Sequence, residues 1–83
     1  MKQIQWSAAK NKLLKKSRGI CFEEIISAPL IDVLEHPKKT YQKIMLFEYQ
    51  NYIWVVPFVE DRNFIFLKTI FPSRKYTKLY YKR

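Results

Sequence analysis

The 83-residue sequence predicts a single α+β domain, spanning 1–83, with two N-terminal helices, an antiparallel three- to four-stranded sheet and a basic C-terminal helix or arm. Three observations carry that prediction. Apolar residues recur at helical spacing near the start, three β-rich runs follow one another from Lys43 to Phe71, and the chain closes on interleaved cations and tyrosines.

From Trp6 to Arg18, the residues Trp6, Ala9 and Leu13 recur at intervals of three and four, while Lys10, Lys12, Lys15, Lys16 and Arg18 fill the remaining surface. Ser7 is the expected N-cap, the cations crowd toward the end that the helix macrodipole makes negative, and Gly19 stands where a left-handed cap closes a helix. Cys21 to Ser27 predicts a short second helix, with Phe22, Ile25 and Ile26 on one side, Glu23 and Glu24 in its first turn and Pro29 beyond its end. Leu30 to Glu35 alternates weakly and fits either an edge strand or a helical continuation; His36 to Gln42, with Pro37, Lys38 and Lys39, reads as a loop.

The runs Lys43 to Tyr49, Tyr52 to Val59 and Phe64 to Phe71 predict an antiparallel meander. Gln50 and Asn51 supply one turn and Glu60 to Asn63 the other, because these side chains bond locally and tolerate turn geometry. The middle run is apolar on both faces, as a central strand is. Pro57 inside it has no N–H for the ladder and predicts a bulge or strand end nearby. After Pro72, Ser73 is a candidate N-cap, and Tyr76 and Tyr80 stand at helical spacing.

Hydrophobic residues make up 48% of the chain and aromatics 17%, which suits a packed core rather than a disordered tail. The single cysteine, Cys21, excludes an intrachain disulfide and a cysteine-rich zinc site. The polar stretch Met1 to Lys10 lacks the apolar core of a secretion signal, and no apolar run is long enough to span a membrane, so the expected location is cytoplasmic, with no membrane partner.

The formal charge is +9, and all seven acids lie between positions 23 and 61, so both ends carry only bases. That field attracts polyanions. In the tail, Arg74, Lys75, Lys78, Lys82 and Arg83 alternate with Tyr76, Tyr80 and Tyr81, which pairs cations for phosphates with flat rings for unstacked bases and favours RNA or single strands. The same tyrosines could instead pack on the sheet. Lys12, Lys15, Lys16 and Arg18 on the first helix are candidates for phosphate contact or for a solvated face, and Lys68, which interrupts an apolar strand, needs water or an anion. His36 fits an ordinary loop histidine better than a general acid or base, and Cys21 a buried thiol better than a nucleophile. Paired carboxylates and a glycine-rich phosphate loop are missing, so no metal and no cofactor is expected.

The stretch Trp6-Ser7-Ala8-Ala9-Lys10-Asn11-Lys12, then Arg18-Gly19-Ile20 and Phe22-Glu23-Glu24, and finally Ile70-Phe71-Pro72-Ser73-Arg74-Lys75 with Thr77, resembles the BrnT-like type II toxins. Pro72 and Tyr76 stand where that family usually has alanine, and Leu30 to Gln42 departs from its pattern. The resemblance implies a RelE-like fold, metal-independent endoribonuclease activity and neutralisation by a cognate antitoxin in a hetero-oligomer. On that basis Arg74, Lys68, Lys75 and Tyr80 are the candidate catalytic residues, and Lys12, Lys15, Lys16, Arg18, Tyr76, Lys78, Tyr81 and Lys82 the candidate RNA-binding ones. Arg74 comes first, because a guanidinium clamps phosphate bidentately and stays charged. The alternatives are a non-catalytic RNA- or DNA-binding module and a protein-interaction subunit.

Overall fold

The computed structural model describes residues 2–81. Elements run in the order β1 (Gln3–Trp6), α1 (Ala8–Arg18), α2 (Phe22–Ile25), β2 (Leu30–Glu35), β3 (Lys43–Tyr49), β4 (Tyr52–Glu60), β5 (Phe64–Leu67), β6 (Phe71–Pro72) and α3 (Arg74–Tyr81). The strands form one sheet in the order β1-β5-β4-β3-β2, and β6 pairs with β4.

The α+β class is as expected, but the strand inventory is larger. The first helix begins at Ala8, not Trp6, because Gln3–Trp6 pairs in parallel with Phe64–Leu67 as an edge strand. Alternation over Gln3-Ile4-Gln5-Trp6 is a strand signal, and Trp6 satisfies that period as well as the helical one. The sheet is therefore mixed, with a strand ahead of both N-terminal helices.

Local chemistry sets the other boundaries. Ser7 Oγ accepts the Lys10 N–H at 3.2 Å, and Gly19 closes α1 at φ 74° with its N–H on the Lys15 carbonyl. Asn11 ties α1 to α2, its amide oxygen accepting the Phe22 N–H at 2.6 Å and its nitrogen donating to Glu23 at 2.7 Å. Leu30–Glu35 resolves as an edge strand against β3, with a register shift between Leu30 and Asp32. Gln50 and Asn51 adopt φ 54° and 61°, the left-handed pair that a tight hairpin between β3 and β4 requires.

Phe64–Phe71 is not one strand. Phe58 pairs with Leu67, whereas Val55 pairs with Phe71, so one extra residue sits between β5 and β6. Pro57 faces the interruption: its carbonyl accepts the Lys68 N–H at 2.8 Å, and the N–H that would complete the exchange does not exist.

Strand alternation divides the interior into two layers. On one face, Leu14, Ile20, Phe22 and Ile25 from the helical segment cover Met45, Phe47, Val56, Phe58, Leu67 and Ile70. On the other, Ile44, Leu46, Ile53 and Val55 lie beneath Leu34, Phe71, Tyr76 and Tyr81. The middle strand is apolar on both sides because both of its sides are covered. Among the described residues, no helix is long and apolar enough to cross a membrane.

Candidate functional site

Helix α3 is docked by backbone chemistry on one residue. The Ser73 N–H donates to the Ile53 carbonyl at 2.9 Å, and the Ile53 N–H donates to Thr77 Oγ1 at 2.8 Å, so one buried strand residue has both groups satisfied by the first turn of α3. Ser73 Oγ accepts the Tyr76 N–H at 3.1 Å as N-cap. Ser73 and Thr77 are thereby occupied, and Arg74 and Lys75 between them stay exposed.

The first turn of α3 contains no acid, although a helix N-terminus favours one. Arg74 and Lys75 add formal charge to the positive end of the dipole, which raises the local potential and suits an anion. Lys75 also borders a shallow cleft of ≈ 240 Å³. Its apolar lining is Pro37, Ile44, Val55 and Phe71, and its polar groups are His36, Lys38, Lys75 and Tyr76. The His36–Gln42 loop thus reaches the N-terminal end of α3 from β2.

His36 Nδ1 accepts the backbone N–H groups of Lys38 and Lys39 at 3.0 and 3.1 Å. With Nδ1 occupied as an acceptor, Nε2 is the ring nitrogen left to carry a proton and donate. The sequence weighed His36 as a loop residue, and that role is real, yet the same loop carries it into the cleft. Nothing local in the sequence pairs His36 with Lys75; only the packing of β2 beside β3 does.

The remaining candidates divide into free and engaged side chains. Lys12, Lys16 and Lys78 are exposed. Lys15 is paired with Glu24 at 2.9 Å; the hydrogen bond it donates to Glu24 raises the ammonium pKa and lowers that of the carboxyl. Arg18 donates to the Ile70 carbonyl at 3.0 Å, tying the end of α1 to the segment between β5 and β6. Lys68 lies just past the end of β5 on the face that carries α3, its ammonium 5.5 Å from the Phe66 ring centroid. Lys75 stands 5.4 Å over the Tyr76 ring.

Tyr76 and Tyr81 pack on the second core layer, and the hydroxyls of Tyr80 and Tyr81 donate to carboxylates: Tyr80 to Asp32 at 3.0 Å, Tyr81 to Glu48 at 2.5 Å. Partial burial and the Asp32 bond push the Tyr80 phenol up, and the Glu48 bond pushes Tyr81 up to about 12. Both rings latch α3 to the sheet. Lys82 and Arg83 lie outside the described residues.

Burial raises the Cys21 pKa, and its thiol donates to Glu24 at 3.3 Å, an arrangement that suppresses thiolate. Six of the seven acids take part in hydrogen bonds, with Glu60 held by Lys2 at 2.6 Å and Asp61 capping its own turn. By contrast, among the described residues only Lys2 and Lys15 form ion pairs. The surplus of positive charge is not neutralised within the chain.

Compared with solved structures, the chain is similar to the Brucella abortus ribonuclease toxin BrnT, with a TM-score of 0.58 and 18% identity over 88% of this chain and 97% of that one. At that identity the likeness is one of fold, and it is the fold that the sequence resemblance implied. No family model matches the chain, and no curated protein matches it by sequence.

Proposed function

We propose that this protein is the toxin of a type II toxin-antitoxin pair and that it cleaves RNA without a metal ion at the N-terminal end of α3. The observation that carries the reading is the acid-free first turn of α3, where Arg74 and Lys75 reinforce a helix N-terminus and Lys75 shares a cleft with His36 and Lys38. The fold shared with a ribonuclease toxin supports it, as does a positive surface with few internal counter-charges.

The proposed chemistry is transesterification. The RNA 2′-oxygen bonds to the adjacent phosphorus, the bond from phosphorus to the 5′-oxygen breaks, and the 2′ proton leaves to water while the departing 5′-oxygen gains one. A 2′,3′-cyclic phosphate and a 5′-hydroxyl result. Arg74 clamps the phosphate, Lys75 and Lys68 add point charge, and the His36 Nε2–H donates to the phosphoryl oxygens as negative charge builds on them. Tyr80 and Tyr81, whose protons already serve carboxylates, hold α3 in place for this chemistry. The antitoxin would cover the same cationic surface with an acidic one.

The test is incubation of the purified protein with a defined RNA in EDTA beside Arg74→Ala, with mapping of the new ends. Wild type should yield cyclic-phosphate ends, and Arg74→Ala should slow cleavage by about 10²- to 10³-fold, the usual cost of deleting one transition-state donor. Salt-sensitive RNA binding with no cleavage, on naked RNA or on ribosomes, would replace this reading with a non-catalytic binding module.

A further inference from the structure

The tail tyrosines that sequence alone would assign to base stacking are engaged: Tyr76 and Tyr81 pack on the sheet, and Tyr80 is tied to Asp32. A single-stranded substrate at the α3 cleft would need its flat partners elsewhere on the same face. Parity identifies them. Trp6 and Leu67 both belong to the layer under α1 and α2, so their neighbours Gln5 and Phe66, paired across β1 and β5, point to the opposite face, where α3 lies. Gln3 and Phe64 are the next such pair.

This half of the face is open. Gln3 and Gln5 are exposed, Phe64 is 37% exposed and Phe66 is half-buried. Each of these rings is paired across the two strands with a glutamine, Phe64 with Gln3 and Phe66 with Gln5. Lys68 continues the line from Phe66 toward the cleft. Phe71 at the cleft wall lies five positions beyond Phe66, at most about 17 Å at the rise of a strand.

We propose that β1 and β5 form a base-binding subsite for single-stranded RNA: Phe66 stacks one base, Gln5 hydrogen-bonds its edge, and Lys68 meets the adjoining phosphate. The inference rests on the RNA reading above and adds the groups that select the sequence. A phenylalanine face accepts any base, whereas an amide that both donates and accepts discriminates among base edges. Lys68 rests over Phe66 in the free protein, so an incoming base takes the ring face while the ammonium swings to the phosphate. The Pro57 carbonyl holds the Lys68 N–H at the bulge, and the exposed stem beyond it can make that move.

The experiment is fluorescence anisotropy with labelled oligo(A), oligo(U) and oligo(C), alongside mapping of cleavage sites, on wild type, Phe66→Leu, Phe66→Tyr, Gln5→Ala and Lys68→Ala. Phe66→Leu should weaken binding about tenfold, while Phe66→Tyr, which keeps a flat ring, stays near wild type. Gln5→Ala, at an exposed position, should narrow the differences among the three oligonucleotides and blur the cleavage map without changing thermal stability. Lys68→Ala should weaken all three equally and flatten the salt dependence. If wild type binds and cleaves RNA and Phe66→Leu and Gln5→Ala bind and cleave as it does, the subsite is wrong and the ribonuclease reading survives. If wild type neither binds nor cleaves RNA, both fall. RNA binding without cleavage, with the variant pattern intact, overturns only the chemistry and keeps the subsite.

Discussion

The two faces of the sheet are built from the same strands and do different things. The face under α1 and α2 is sealed: ten buried apolar side chains interlock there, and the polar groups around it, Asn11, Arg18 and Glu24, bond to backbone. The face under α3 has a four-residue buried patch, a helix held by two hydrogen bonds to the Ile53 backbone and two tyrosine latches, and an uncovered half. Burial stabilises the first. The second spends little surface on burial and keeps cations, an imidazole and bare rings in reach of solvent, which is what a recognition surface needs.

Substitutions should separate the two. The largest effect belongs to the sealed face: Phe22, fully buried and stacked on Trp6 with ring centroids 5.4 Å apart, should cost about 3–5 kcal/mol as Phe22→Ala by urea unfolding. Loss of stability on that scale would be felt across the whole domain, and an effect under 1 kcal/mol, taken as a rough floor for core truncation, would show that the layer is not the main source of stability.

On the open face, Thr77→Val preserves shape but strands the buried Ile53 N–H, and should cost about 1–3 kcal/mol. Hydrogen exchange at Ile53 and along α3 should accelerate ahead of the rest, because the bond that is lost docks the helix rather than the core. Ser73→Ala should follow at about 1 kcal/mol, the usual value of an N-cap, and circular dichroism should register it as fraying of α3 alone.

The smallest effect is one of pH. The Tyr81 phenol is raised from 10.0 to about 12 by its bond to Glu48, so folding favours the neutral phenol. Its contribution is complete below pH 10 and is lost as pH rises through about 12. Thermal midpoints of wild type should fall more steeply than those of Tyr81→Phe over that alkaline window. Equal slopes would mean that the latch carries no stability.

How legible each face was in the sequence follows from the range of the interactions that make it. Ser7, Gly19, Gln50, Asn51 and Ser73 bond within three or four residues or set their own backbone angles, so caps and turns could be read before any contact was known. Pro57 belongs with them: a residue with no N–H must meet a gap in the ladder, and the gap between β5 and β6 is there. The surplus of cations was legible for the same reason, since charge needs no geometry.

Pairing is different. β1 becomes a strand because Gln3–Trp6 finds Phe64–Leu67 some sixty positions away, and no local signal outweighs a helical repeat that also accepts Trp6. The fates of the tail side chains were also undecided by type: a tyrosine beside a lysine suits RNA until Asp32 or Glu48 arrives within hydrogen-bond reach. Composition and local stereochemistry determined that this chain is a basic α+β domain with defined turns and helix ends. Which cations remain exposed, which rings stay partly open and that His36 and Lys75 line one cleft were decided by tertiary structure, because long-range pairing alone determines which side chains share a face.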